Sequence, residues 1–233
     1  MGDRQAKDHL FEQFARVGKA LSSPARLELL DLLAQCERTV DSLARAAGLQ
    51  VSTCSAHLQT LKQARLVATR KDGTKVVYRL AGADVAALYA GVQQVSAAHL
   101  GDLAPARDAY LGPDDTEAIG REELMRRVSR GEVTVIDVRP VEEHAAGHIP
   151  GALSIPVDEL ADRLGEIPAD TEVVAYCRGA YCVFAHDAVR FLSGNGRRAS
   201  RLVEGMLEWR LADLPVTTDT VLTGPVLTGP VLP

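Results

Sequence analysis

Cys177 and Cys182 bracket the segment Cys177-Arg178-Gly179-Ala180-Tyr181-Cys182, the place in this chain where residue types and spacing point most directly to chemistry. The apolar run Val173-Val174-Ala175-Tyr176 stops at the first thiol, and a helix-like stretch, 183–192, follows the second. A strand, a tight loop and a helix start turn successive backbone N–H groups around one point. Such a concavity binds anions and lowers the pKa of a thiol placed in it. Cys177 is therefore the candidate nucleophile, and Arg178, Gly179, Ala180, Tyr181 and Cys182 are its expected cradle.

The elements that must position this loop carry their own signals. Val133-Thr134-Val135-Ile136 is a β-branched run ending in Asp137-Val138-Arg139. Glu142-Glu143-His144 and Gly147-His148-Ile149-Pro150-Gly151-Ala152 follow. Glu204-Gly205-Met206-Leu207-Glu208-Trp209 and Leu214-Pro215-Val216 close the segment. These four motifs, in this order, make residues 117–216 resemble the rhodanese (sulfurtransferase) domains.

The resemblance implies an α/β fold, a parallel sheet flanked by helices, with sulfane sulfur carried on Cys177 as a persulfide. It implies small sulfur donors and thiol acceptors as partners, and no cofactor. Asp137 and Arg139 are expected to support the loop through hydrogen bonds, His148 to fix a turn and Trp209 to sit in the core. Cysteine phosphatases and arsenate reductases of similar architecture place an Arg six residues after the Cys, where its fork grips an oxyanion. Position 183 is Val here, so that chemistry is not expected. The sixth loop position, often basic in thiosulfate-using enzymes, is Cys182, which argues against thiosulfate as donor. Cys182 also puts a second thiol beside the first. Its thiolate could attack a Cys177 persulfide and release sulfide, leaving a disulfide. A direct bond needs Cα atoms within about 7 Å.

The front of the chain has a different charge. Residues 1–100 hold 13 Lys and Arg against 9 Asp and Glu, a net of +4 within a chain whose formal net charge is −5. Eight of those bases fall between Arg38 and Arg79, against Asp41 and Asp72. A basic segment in an acidic chain is the footprint of polyanion binding. Ser22-Ser23-Pro24 signals a helix start, and Leu27, Leu29, Leu30, Leu32 and Leu33 follow. A short helix over 40–47 ends at Gly48, and a second begins near Val51 with Ser52 and Thr53 expected as caps. Two helices joined by a short Gly-containing turn describe a helix-turn-helix. Residues 66–70 and 75–79, joined by Lys71-Asp72-Gly73-Thr74, read as a hairpin. Together they predict a mainly-α winged helix-turn-helix.

Ala20-Leu21-Ser22-Ser23-Pro24-Ala25-Arg26-Leu27, Ser55-Ala56-His57-Leu58 and Leu61-Lys62 with Ala64-Arg65-Leu66-Val67 resemble the ArsR family of dimeric winged-helix regulators over residues 9–100. The resemblance implies a homodimer on a double-stranded DNA operator. Its recognition helix would span 51–64, presenting Ser52, Thr53, Ser55, Ala56, His57 and Gln59, with His57 equally able to pack between helices. Arg70, Lys71 and Lys75 would form the basic wing. Many family members sense metals, but the positions of one thiolate site are occupied here by Thr39 and Asp41. Those of a second retain Asp84 but place Ala86 where a His is needed, with His99 and Asp102 out of register. A zinc site needs about four donors, so no metal site is expected. Cys36 and Cys54 read as small buried residues.

Length and charge divide the 233 residues into a winged-helix domain (1–104), a linker (105–116), a rhodanese-like domain (117–216) and a repetitive, disordered Gly/Pro tail (217–233). No apolar run approaches the ~20 residues that span a membrane. The polar N-terminus lacks a signal peptide, and four cysteines make no disulfide scaffold. A cytoplasmic chain with no membrane partner is expected. The leading functional expectation is a transcriptional regulator whose rhodanese domain senses or transfers reactive sulfur. The alternatives are a sulfurtransferase whose winged helix only dimerises or localises it, and a metal-responsive repressor.

Overall fold

The computed structural model describes residues 3–113 and 115–219. In the front half, α1 (Arg4–Leu21) and α2 (Pro24–Gln35) lead through β1 (Arg38–Thr39) into α3 (Val40–Ala46) and α4 (Val51–Gln63). Ser23 is the N-cap of α2 and Pro24 occupies its first turn, where the missing N–H costs nothing. The leucines of α2 bury against Leu43 of α3 and against Cys54, Leu58 and Leu61 of α4, spaced to share one helix face. β2 (Val67–Asp72) and β3 (Lys75–Leu80) form the antiparallel wing, turning at Gly73 with φ 57°, and β1 pairs with β3. α5 (Ala83–His99) packs back on α2. The N-cap of α4 is Gln50, without a side-chain bond. Ser52 and Thr53 thus lie inside its first turn and are not its caps, which leaves both exposed.

The expected linker is not a free strand of chain. α6 (Leu103–Leu111) covers most of residues 105–116. Pro105 does not prevent it, because it falls in the first turn, where an N–H has no acceptor in the helix. The helix ends at Gly112, with φ 78°, and Arg190 donates to the carbonyls of Leu111 and Pro113 at 2.9 and 2.8 Å.

In the second half, a parallel five-stranded sheet runs β4-β8-β7-β5-β6. Its strands are β4 (Ala118–Ile119), β5 (Val133–Asp137), β6 (Leu153–Ser154), β7 (Glu172–Tyr176) and β8 (Ala199–Leu202). A parallel sheet needs helices over both faces. Alternate residues of β7 divide accordingly. Val173, Ala175 and Cys177 face α9 (Val183–Gly194). Val174 and Tyr176 face the core that holds Leu124 of α7 (Arg121–Ser129) and Met206 and Trp209 of α10 (Met206–Leu211). Trp209 is buried there, its indole N–H donating to the Pro215 carbonyl at 2.9 Å. α8 (Val141–Ala146) follows β5. Of the stretch expected as a disordered tail, Thr217 pairs with His148 and Asp219 N–H donates to the Ala145 carbonyl at 3.0 Å. Residues 220–233 lie outside the described residues. Among the described residues, no helix is long and apolar enough to cross a membrane.

Leu207 of α10 belongs to the winged-helix core cluster, beside the leucines of α2. Two segments that read as separate domains are therefore packed on one another.

Candidate functional site

β7, the central strand, delivers Cys177 to the carboxyl end of the sheet, and Cys182 is the N-cap of α9. Their sulfurs are joined in a disulfide, with Cα atoms 6.1 Å apart. The loop carbonyls are held from below. Met206 N–H donates to the Cys177 carbonyl at 3.0 Å and Leu207 N–H to that of Arg178 at 2.9 Å. Gly205 permits this approach, since a Cβ built there would sit 2.6 Å from the Cys177 oxygen. Cys177 is buried in this state, while Arg178, Gly179, Tyr181 and Cys182 are half-buried and Ala180 is exposed.

Asp137 and Arg139, both fully buried, form a two-pronged pair at 2.9 and 2.6 Å. Although burial raises the Asp137 pKa, bonds from His144, Arg139 and the Tyr176 hydroxyl bring it down to about 2. None of these partners is in the loop. Arg139 instead donates to the Gln35 side-chain oxygen at 3.1 Å, and the Gln35 amide donates to the Arg178 carbonyl at 3.4 Å. Support thus reaches the cysteine loop through a residue of α2. His148 holds its turn through the His144 carbonyl at 3.0 Å.

A second connection is ionic. Glu143 is fully buried and receives Arg178 in three contacts of 2.7 to 3.1 Å, and Arg38 of β1 at 2.5 Å. Arg38 also reaches Glu142 at 3.1 Å. Glu143 is therefore clamped between the first residue after Cys177 and the base of the wing. Arg210 donates to the Ala34 and Gln35 carbonyls at 2.6 and 2.9 Å, satisfying the end of α2. The sequence assigned no pairing to Glu143, named only within a motif, or to Arg38, counted only among the bases, and gave no role to Gln35 or Arg210. A polar residue at a helix end gives no sign, by itself, that a distant segment covers it.

On α4, Ser52, Thr53, Ala56 and Gln59 are exposed and Ser55 and His57 are half-exposed, around a face whose other side buries Cys54, Leu58 and Leu61. Gln59 donates to the Tyr78 hydroxyl at 3.5 Å. Lys71 and Lys75 are exposed at the wing tip. Arg70 is paired with Glu37 at 2.6 Å and Asp72 at 3.3 Å. Such exposed pairs are worth about 0–1 kcal/mol, little enough for a phosphate to displace. Replacing Arg70 and Lys71 together by Ala should weaken duplex binding and flatten the plot of log affinity against log salt, by about 0.9 for each phosphate no longer neutralised. An unchanged slope in a fluorescence anisotropy titration would remove these residues from the interface.

The remaining thiols are passive. Burial pushes Cys36 up to about 11 and raises Cys54, keeping both protonated. Among the described residues, His144, His148 and Asp219 bring three potential ligand atoms within 4.8 Å. The two imidazoles stack 3.7 Å apart at 7°. Their lone pairs lie in nearly parallel planes and do not converge on one point, as a tetrahedral ion requires. The Asp84, His99 and Asp102 positions are not part of this group.

Comparison with known proteins agrees with both halves. Residues 23–69 match the bacterial regulatory protein, arsR family, and residues 120–212 match the rhodanese-like domain. The HTH-type transcriptional regulator Rv0324 of Mycobacterium tuberculosis is 56% identical over 92% of this chain and 95% of its own length. A sulfurtransferase of Allochromatium vinosum is 35% identical over 42% of this chain and 92% of its own length. The solution NMR structure of a homodimeric winged helix-turn-helix DNA-binding domain, Mb0332 fragment 1–100 from Mycobacterium bovis, is 52% identical. It covers 43% of this chain and 91% of that one, with a TM-score of 0.40. This chain belongs to the ArsR family of bacterial transcriptional regulators and carries a rhodanese-like domain behind its helix-turn-helix.

Proposed function

We propose that this regulator acts as a homodimer on a duplex operator and that sulfane sulfur accepted by Cys177 is its signal. The observation that carries the reading is the clamp of Glu143 between Arg178 of the cysteine loop and Arg38 of the winged helix. Chemistry that reshapes the loop thereby acts directly on the base of the wing. The homodimeric state of the Mycobacterium bovis fragment supports the assembly. So do the exposed Leu10, Phe11 and Phe14 of α1 and Val95 of α5, apolar surface that a partner would cover.

The chemistry takes two steps. In the dithiol form, the Cys177 thiolate attacks the outer sulfur of a persulfide R–S–SH. The new bond leaves Cys177–S–SH, and RS⁻ departs. The Cys182 thiolate then attacks the Cys177 sulfur and expels HS⁻, leaving the disulfide. The short reach between the two Cα atoms, 6.1 Å, supports the second step. A transient enzyme intermediate becomes a longer-lived state that DNA affinity can report. A coupling of about 1–3 kcal/mol would change operator affinity about 5- to 150-fold.

The test is a DNA titration of the reduced full chain before and after polysulfide. The affinity should change for the parent, and Cys182→Ala, which stops at the persulfide, should lose most of that change. Mass spectrometry should show a peptide containing both cysteines in the parent. Equal responses of parent and Cys182→Ala would reduce Cys182 to a loop residue. A second reading, a sulfurtransferase with the winged helix as a passive dimeriser, is favoured by the similarity to the Allochromatium vinosum protein. It requires turnover with many acceptors and a DNA affinity indifferent to polysulfide.

A further inference from the structure

A cavity of about 140 Å³ opens beside the cysteine loop, and both halves of the chain build its wall. Cys182 lines it, and the buried Cys177 lies behind Cys182, bonded to it. Arg178, Cys182 and Phe184 come from the loop side, and Glu28, Asp31 and Tyr89 from α2 and α5. Arg178 is the sole cation among the lining residues. Its guanidinium is already bound along one edge by the buried Glu143, and it lies 5.2 Å from the Phe184 ring centre. Among the described residues neither carboxyl of α2 forms an ion pair, and Asp31 has the Tyr89 hydroxyl as its hydrogen-bond partner. Desolvation raises Asp31 to about 6, with the Arg178 charge only partly opposing it, and partial desolvation also raises the more exposed Glu28. The cavity beside Cys182 is thus small, partly aromatic and short of positive charge.

We propose that Asp31 and Glu28, residues of the DNA-binding half, set the charge of the sulfur donor. The cavity takes the persulfide of a small aminothiol, with its ammonium toward Asp31, and turns away dianionic donors such as thiosulfate. This rests on the reading of Cys177 as the sulfur acceptor. An ammonium brings the charge that the α2 carboxyls lack, and its short carbon chain fits a cavity of this size beside Phe184. A dianion would share the cavity with two acidic side chains while the one guanidinium in its wall is already engaged by Glu143, and in a partly desolvated site each like charge is costly. The transfer itself is unchanged. The Cys177 thiolate bonds to the outer sulfur, the donor S–S bond breaks, and the aminothiolate leaves.

The test uses the reduced, desalted full chain and three donors of different charge: cysteamine persulfide, cysteine persulfide and thiosulfate. Second-order rates are read from the loss of free Cys177 by mass spectrometry. In the parent the rates should fall in that order. Asp31→Asn should cut the preference for cysteamine persulfide over thiosulfate by about tenfold, and Glu28→Gln should move it the same way by less. Circular dichroism of each variant establishes that it is folded, and the second variant carries the test if the first is not. Donor preferences that are flat in the parent, or that survive in a folded variant, overturn the inference and leave Cys177 as acceptor. Failure of every donor to load Cys177 in the parent overturns the underlying reading as well.

Discussion

Cys177→Ser is expected to abolish sulfur transfer to cyanide or a thiol acceptor, with residual turnover no more than about a thousandth of the parent's. An alcohol is scarcely ionised at neutral pH and is a far weaker nucleophile than a thiol. Oxygen also cannot carry sulfur as a persulfide. The fold should survive, because Met206 and Leu207 hold the loop through its backbone and not through the side chain at 177. The same variant should lose the DNA response to polysulfide. A cyanide assay beside circular dichroism checks both parts. Retention of most of the activity would move the nucleophile to Cys182, since burial keeps Cys36 and Cys54 protonated.

The second large effect is at Glu143. Removing its carboxylate by Glu143→Ala leaves Arg38, whose side chain is 3% exposed, and Arg178, at 16%, without their shared counter-charge. Breaking a buried ion pair from one side costs about 3–5 kcal/mol, because the remaining charge stays desolvated. Here two remain, facing each other. Urea unfolding should show a loss of that order. Glu143→Gln, which keeps an acceptor but not the charge, should lose less. In both variants the loop should still accept sulfur, while the change in operator affinity on polysulfide treatment should shrink. A Glu143→Ala protein within about 1 kcal/mol of the parent would mean that water has entered and solvated the arginines.

Much of this was legible because it is written locally. The run 173–176 followed by a thiol is a strand and a loop on any reading of hydrophobic pattern, and it forms β7. The face of α4 follows from Cys54, Leu58 and Leu61, and the wing from the Asp72-Gly73 turn. What escaped is pairing at long range. Glu143 reads as one more acid on a polar helix, and Arg38 as one more base near a DNA-binding segment. Neither residue type nor spacing reveals that 105 positions of chain fold back to bury them together. Gln35 escaped for the same reason, although it joins Arg139 to the loop carbonyl. Ser52 and Thr53 were expected as caps because both residue types favour that position. The chain enters the helix at Gln50 instead, which turns the two hydroxyls outward to the surface.

Leu207 belongs by chain position to the rhodanese-like half and by packing to the other. Burying a leucine side chain is worth about 1.5–3 kcal/mol, and Arg210 adds its two bonds to the end of α2 one turn further on. The chain is therefore not a pair of interchangeable cassettes. A rhodanese domain put in its place would have to bring a leucine that fills the regulator's interior and an arginine that closes its helix. Swapping modules would leave a vacancy in the half that was not swapped. The join between the two halves is part of the hydrophobic interior itself.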